Sequence, residues 1–152
     1  MTLFDENGFL SPFGPIKTDL ENFKETFVTN SHRENLFEEY LVFLHTLKEL
    51  GLGSFFQWIN GSFATKKTFP NDIDVVTFLD YRNLPLMEEK LSHRLYNTKT
   101  LDCYFVISYP EDHQSHNLYK MDYAEWNFLF STTRRDMKTG KTKNKGFIQL
   151  DF

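Results

Sequence analysis

The 152-residue sequence holds a single cysteine, Cys103, so no disulfide can form within the chain, and the composition fits a reducing compartment. Five prolines and seven glycines are too few for a linker-like tract, and there is no internal repeat or low-complexity segment. No apolar run approaches the roughly 20 residues needed to cross a bilayer. The start, Met1-Thr2-Leu3-Phe4-Asp5-Glu6-Asn7-Gly8, breaks into acidic and turn residues too early for a signal peptide, so the expected location is cytoplasmic. Positive charge is not in excess: 17 Lys and Arg against 21 Asp and Glu leave a net charge of −4. A broad attraction to nucleic acid is therefore not expected, and only a local basic patch keeps that partner open. The length leaves no room for a second catalytic or substrate domain, so residues 1–152 are expected to form one domain.

What the sequence has in abundance is aromatic rings, 17 of them phenylalanine. Most fall at periodic apolar positions, which favours core packing over base stacking. Residues 1–17 read as an extended, turn-rich arm pinned by Phe9, Leu10 and Phe13. Thr18 with Glu21, and Ser31 with Glu34, have capping-box spacing and open two helices, the second carrying Leu36, Phe37, Tyr40, Leu41, Leu44 and Leu47 and ending near Gly51. Strands are expected over 54–60, 72–79 and 100–109, a short helical turn over 62–67, and helices over 85–95 and along the stripe Tyr119, Tyr123, Trp126 and Phe130. Residues 137–146 read as a lysine-rich loop, and 147–152 as an edge strand. The expected fold class is α/β (α+β).

The chemistry concentrates in Ile59-Asn60-Gly61-Ser62, followed nine residues later by Asp72-Ile73-Asp74-Val75-Val76. Residues two apart on a strand share a face, so Asp72 and Asp74 point one way and Ile73 and Val75 the other. In the next strand Asp102 sits among Leu101, Cys103, Phe105 and Val106. If the two strands are neighbours, three carboxylates converge, and such like charges call for a cation. Hard oxygen donors with room for water and phosphate suit Mg²⁺ or Mn²⁺. Gly61 permits close backbone approach, the amides after it can donate to phosphate oxygens, and Ser62 adds a hydroxyl. Lys66 and Lys67 lie near enough in sequence to reach a triphosphate, although solvated surface charge is the plainer reading of both.

The array Gly61-Ser62, nine residues, Asp72-Ile73-Asp74, then Asp102 resembles the signature of the DNA-polymerase-β-type nucleotidyltransferase superfamily in a minimal, single-domain form. The strings Phe4 to Pro12, Gly61 to Asp74 and Lys145 to Leu150 also resemble an uncharacterised bacterial family of nucleotidyltransferase-like proteins. The resemblance implies a small mixed β-sheet flanked by helices, with the active site on its exposed carboxylate face. It implies that Asp72 and Asp74 hold two metal ions, and that Asp102 completes the site and helps deprotonate an acceptor hydroxyl. The implied reaction is attack of that hydroxyl, from a protein, RNA or small molecule, on the α-phosphorus of a nucleoside triphosphate, with pyrophosphate leaving. Larger members grip the acceptor with an additional domain. Here the basic loop, a second copy of the chain or a partner protein, as in toxin–antitoxin or phage-defence pairs, has to supply that grip.

Three other readings compete. A non-catalytic antitoxin or sensor could use the same fold to bind nucleotide or a partner. The basic run Arg134, Arg135, Lys138, Lys141, Lys143 and Lys145 could bind RNA or triphosphate, or be a solvated loop. His113 and His116 have a spacing compatible with zinc but lack further ligands, and Cys103 reads as a core thiol.

Overall fold

The computed structural model describes residues 3–91 and 96–152. Among these, one five-stranded mixed sheet in the order β1-β5-β2-β3-β4 carries helices on both faces, an α+β architecture. The strands are β1 (Gly14–Thr18), β2 (Phe56–Asn60), β3 (Ile73–Asp80), β4 (Leu101–Ser108) and β5 (Gly146–Asp151). The helices are α1 (Leu20–Phe27), α2 (Ser31–Glu49), α3 (Leu84–Lys90) and α4 (His116–Phe130). β1 with β5 and β3 with β4 are parallel, while β2 runs antiparallel to both of its neighbours.

The helices on the first face form as their patterning dictates, with each cap one residue away from the position expected. Asp19 rather than Thr18 caps α1, its carboxylate accepting from the Asn22 amide at 2.8 Å. Asn30 rather than Ser31 caps α2, accepting from the Arg33 amide at 2.9 Å. Either side chain satisfies an amide that the first helical turn leaves without a partner. Phe23, Phe27, Phe37, Tyr40, Leu44 and Leu47 then bury against Ile59, Val75 and Cys103 of the sheet. Inside this layer Tyr40 donates to Gln57 Oε1 at 2.7 Å and Gln57 Nε2 donates to Thr77 Oγ1 at 3.0 Å, so the buried polar groups are paired.

Three expectations change. Residues 14–18 leave the N-terminal arm to become β1, whose register is set by β5 and not by any pattern of its own. The C-terminal strand is an interior strand, because β1 takes the edge, and Gly146 to Leu150 are all buried. A side chain at Gly146 would put its Cβ 2.5 Å from the Pro12 carbonyl oxygen and 2.7 Å from Ile16 Cδ1, so the arm can cross only over a glycine. The helix expected over 85–95 runs from Leu84 to Lys90, and Leu95 lies outside the described residues.

A fourth change concerns the carboxylate face of the sheet, which is not exposed. The alternation that aligns Asp74 and Asp102 also aligns Val76 and Phe78 of β3 with Tyr104 and Val106 of β4. These apolar rows require cover, and α4 provides it: Tyr123 packs 4.8 Å from Trp58 and Trp126 packs 4.6 Å from Tyr104, centroid to centroid. A second core of Trp58, Val76, Phe78, Val106, Phe130 and Phe147 results. Where β2 ends and β3 and β4 begin, this face turns polar.

Candidate active site

Strand register assembles a row of polar residues there. Asn60, the last residue of β2, pairs with Asp74 in the antiparallel β2–β3 ladder. Asp74 pairs with Asp102 in the parallel β3–β4 ladder. Paired residues on adjacent strands share a face, so Asn60, Asp74 and Asp102 form one line across three strands. Each aspartate is half-buried.

Asp72 joins from the segment just ahead of β3 and is held by the Gly-Ser turn. Its Oδ1 accepts from the Ser62 amide at 2.8 Å and from the Ser62 hydroxyl at 2.7 Å. The same hydroxyl accepts from the Asn71 amide at 2.8 Å. Gly61 makes this possible. Its φ is +82°, and a Cβ there would lie 2.9 Å from the Asp72 carbonyl oxygen and 3.0 Å from the Asp74 nitrogen. The turn amides do not form the open phosphate cradle expected from sequence. Ser62 donates to Asp72, Phe63 to the Asp72 carbonyl and Ala64 to the Gly61 carbonyl. The glycine and serine position an acid before they can position a phosphate.

The turn is braced from behind by Arg33 of α2, which is only 3% exposed. Its guanidinium donates to the carbonyls of Phe27, Phe63, Thr65 and Lys67 at 2.6 to 3.1 Å and stacks over the Phe63 ring. Among the described residues no carboxylate pairs with it; backbone oxygens satisfy its fork. Sequence reading did not single out Arg33, since an arginine in the first turn of an amphipathic helix looks like surface charge.

The cations beside the acids are also not those expected. Lys66 is exposed and lies over the Phe4 ring, and Lys67 is exposed and contributes its carbonyl to Arg33. Lys145, counted from sequence among the basic-loop residues, is instead 8% exposed, and its ammonium donates to Asn60 Oδ1. Burial pushes the Lys145 ammonium down to about 8, opposed by the negative charge of Asp74. Asp74 moves the other way. Burial, then the charges of Asp72 and Asp102, push its carboxyl up to about 6, with Lys145 and Arg134 pulling it back. Arg134 arrives with the excursion after α4, where Thr132 bridges Asn144 and the Lys145 amide donates to the Ser131 carbonyl.

Among the described residues, no three His, Cys, Asp or Glu side chains close into a ready-made metal cage. The donor set still fits a hard divalent cation. Two register-paired carboxylates carry no side-chain hydrogen bond among the described residues, one of them resists ionisation, and a third acid stands beside them with one oxygen engaged. Such a site takes an ion with water and phosphate oxygens completing its shell. The histidine alternative gains no third ligand among the described residues: His113 Nδ1 accepts from the Ser115 amide and packs on Tyr81 and Tyr109, and His116 Nδ1 sits 2.8 Å from the Tyr109 carbonyl oxygen. Cys103 is fully buried on the opposite face, its thiol pushed up to about 12 chiefly by that burial, as suits a core residue. The surface groove between α1 and α2, lined by Lys24, Glu25, Asn30 and Glu34, includes none of Asp72, Asp74 and Asp102.

No curated protein and no solved structure matches this chain. Residues 2–151 match the profile of a family of unknown function, DUF6932, and with nearly its whole length inside that match the chain belongs to this family.

Proposed function

We propose that the protein is a metal-dependent nucleotidyltransferase, moving a nucleoside monophosphate from a nucleoside triphosphate to an acceptor hydroxyl. The observation that carries the reading is the register pairing of Asp74 with Asp102, with Asp72 fixed beside them by Gly61 and Ser62. Asp72 and Asp74 are the residues that would hold Mg²⁺ or Mn²⁺, two ions being the expected complement, and Asp102 would share in that site. When bound, the metal supplies charge stabilisation to the phosphoryl oxygens.

The chain's own residues supply the rest. Asp102, on edge strand β4, is placed to accept the proton of an incoming hydroxyl. Lys145 offers the triphosphate an ammonium already desolvated beside Asp74, a stronger partner for an anion than the exposed Lys66 or Lys67. Asn60 fixes that ammonium in place. Arg134 and the exposed residues of the basic excursion extend positive charge outward from the acids, where an acceptor or the leaving pyrophosphate would pass.

The test is incubation with α-labelled nucleoside triphosphates, Mg²⁺ and cell extract. An acceptor should become labelled by the parent protein and not by the Asp72→Ala, Asp74→Ala double variant. Equal labelling by both would end the assignment.

One observation favours a second reading, a non-catalytic nucleotide- or partner-binding protein. The turn amides are already spent on Asp72 and the backbone, and Lys145 sits among the acids where it can act as an internal counter-ion. Calorimetry separates the two. Metal-dependent nucleotide binding followed by turnover supports the transferase; binding without turnover, or none, supports the second reading.

A further inference from the structure

Helix α4 is apolar on two sides, and the domain uses only one of them. Tyr119, Tyr123, Trp126 and Phe130 face the sheet. On the opposite side Leu118 is 60% exposed, Met121 67%, Phe128 67% and Leu129 49%. A surface helix of a single domain ordinarily carries charge on its outer side; apolar residues all round mark a helix covered on both sides. The outward residues are also in phase. Positions 118, 121, 125 and 128 follow spacings of three, four and three, a helix–helix seam interrupted only by Glu125.

The charge at the two ends of α4 identifies the occupant. Before its N-terminus lies an exposed acidic turn, Glu111 and Asp112. After its C-terminus comes the exposed basic excursion with Arg134, Arg135, Lys138, Lys141 and Lys143. A second α4 laid antiparallel on the first sets each acidic turn against the other copy's basic excursion, twice, about one two-fold axis. A parallel arrangement would set basic against basic and acid against acid. The two-fold arrangement is also the commonest symmetry among homo-oligomers.

We propose that α4 is a homodimerisation helix, pairing antiparallel with α4 of a second copy through Leu118, Met121, Phe128 and Leu129, and locked by the acidic turn of each copy against the basic excursion of the other. In this register Met121 meets Phe128 of the second copy, and the axis passes between Ala124 and Glu125. Glu125 therefore lies beside its own symmetry mate, the one repulsive contact in the seam. The pairing does not rest on the nucleotidyl-transfer reading: α4's sheet-facing side and the acid row are not involved, and the two share only the basic excursion.

Sedimentation and light scattering on the full chain, across micromolar to submillimolar concentrations, test it. The parent protein should run at about twice 18.1 kDa, and Met121→Glu with Phe128→Glu should run as a folded monomer. Because these side chains are exposed, the variant's circular dichroism should match the parent's. Glu125→Leu should tighten the dimer by at least about tenfold. Glu125→Cys should form a disulfide-linked dimer on mild oxidation, since Cys103, the only other cysteine, is buried. Reversing Glu111 and Asp112 to Lys, or Arg135 and Lys138 to Glu, should each weaken the dimer, and combining both reversals should restore it. A parent that stays monomeric throughout, a Met121→Glu, Phe128→Glu protein that remains dimeric, or a Glu125→Cys protein that does not crosslink would each overturn the proposal.

Discussion

Asp74 and Asp102 stand side by side on parallel strands β3 and β4, on the face that α4 covers one row further along. Neither carboxylate has a side-chain hydrogen bond among the described residues, and burial together with neighbouring negative charge pushes Asp74 up to about 6. A fold selected for stability alone would place an amide or an apolar residue there, as it does one row away with Val76 and Tyr104.

The first prediction concerns that cost. Because the folded-state value of about 6 lies above the ordinary 3.8, the folded protein keeps a proton the unfolded chain has already released, so stability falls as pH rises from about 4 to 6 and stays reduced above it. In chelator, Asp74→Asn should raise the unfolding free energy at pH 7 by up to about 3 kcal/mol. The gain should largely vanish near pH 3, below both values, where the parent carboxyl is protonated in both states. Urea melts at the two pH values check this; a variant less stable than the parent at pH 7 would contradict it.

A second prediction follows from the position of Lys145. Its ammonium lowers the Asp74 value, so Lys145→Met should move the Asp74 titration upward from about 6. Carboxyl-carbon NMR of Asp74 reads this directly. On the transferase reading the same substitution should weaken triphosphate binding more than Lys66→Met or Lys67→Met, which remove exposed charges with no link to the acids.

Gly61→Ala supplies a third. It forces a side chain into a left-handed backbone at φ +82° and places a methyl 2.9 Å from the Asp72 carbonyl oxygen, so the turn has to open. The expected loss is at least about 2 kcal/mol. Metal-dependent nucleotide binding should be lost in parallel, because Asp72 is released from Ser62. Ser62→Ala should keep the fold with a smaller loss, about 1 kcal/mol, since the Ser62 amide still holds Asp72.

Arg33→Met should be among the most damaging single changes outside the acid row. It keeps an unbranched apolar side chain but takes the guanidinium from the Phe63 ring and leaves the carbonyls of Phe27, Phe63, Thr65 and Lys67 without their shared donor. A loss of at least about 3 kcal/mol is expected from those buried acceptors. Hydrogen exchange should show the Gly61 to Pro70 segment loosening before the sheet. Uniform loosening, with this segment no more affected than β5, would argue against the bracing role.

Much of the domain was legible in the amino-acid order, because its signals are local. Helix α2 announces itself through a 3.6-residue apolar period and a capping residue, and β3 and β4 through short β-branched and aromatic runs that bury Ile73, Val75, Leu101 and Cys103 on one face. That alternation alone placed Asp74 with Asp72, and Asp102 with Tyr104, before any strand had a neighbour. Strand β1 was not legible, because Gly-Pro-Ile-Lys-Thr offers only one large apolar side chain, Ile16, from which to read an alternation, and it exists as a strand only through β5. The interior position of β5 was hidden for a related reason: neighbours in a sheet are chosen by packing, and here the partner strand lies more than a hundred residues upstream.

For the site itself, the sequence by itself determined which carboxylates are available and which backbone turn, Gly61-Ser62, precedes them, since these depend on residue type and spacing. Only the tertiary structure decided what they meet. It turned the Ser62 amide and hydroxyl onto Asp72, brought Lys145 from 71 residues beyond Asp74 to the side of Asn60, and laid α4 over the face that alternation had left apolar. Such contacts follow from burying two apolar faces of one sheet at once, a condition on the whole chain that no local window carries.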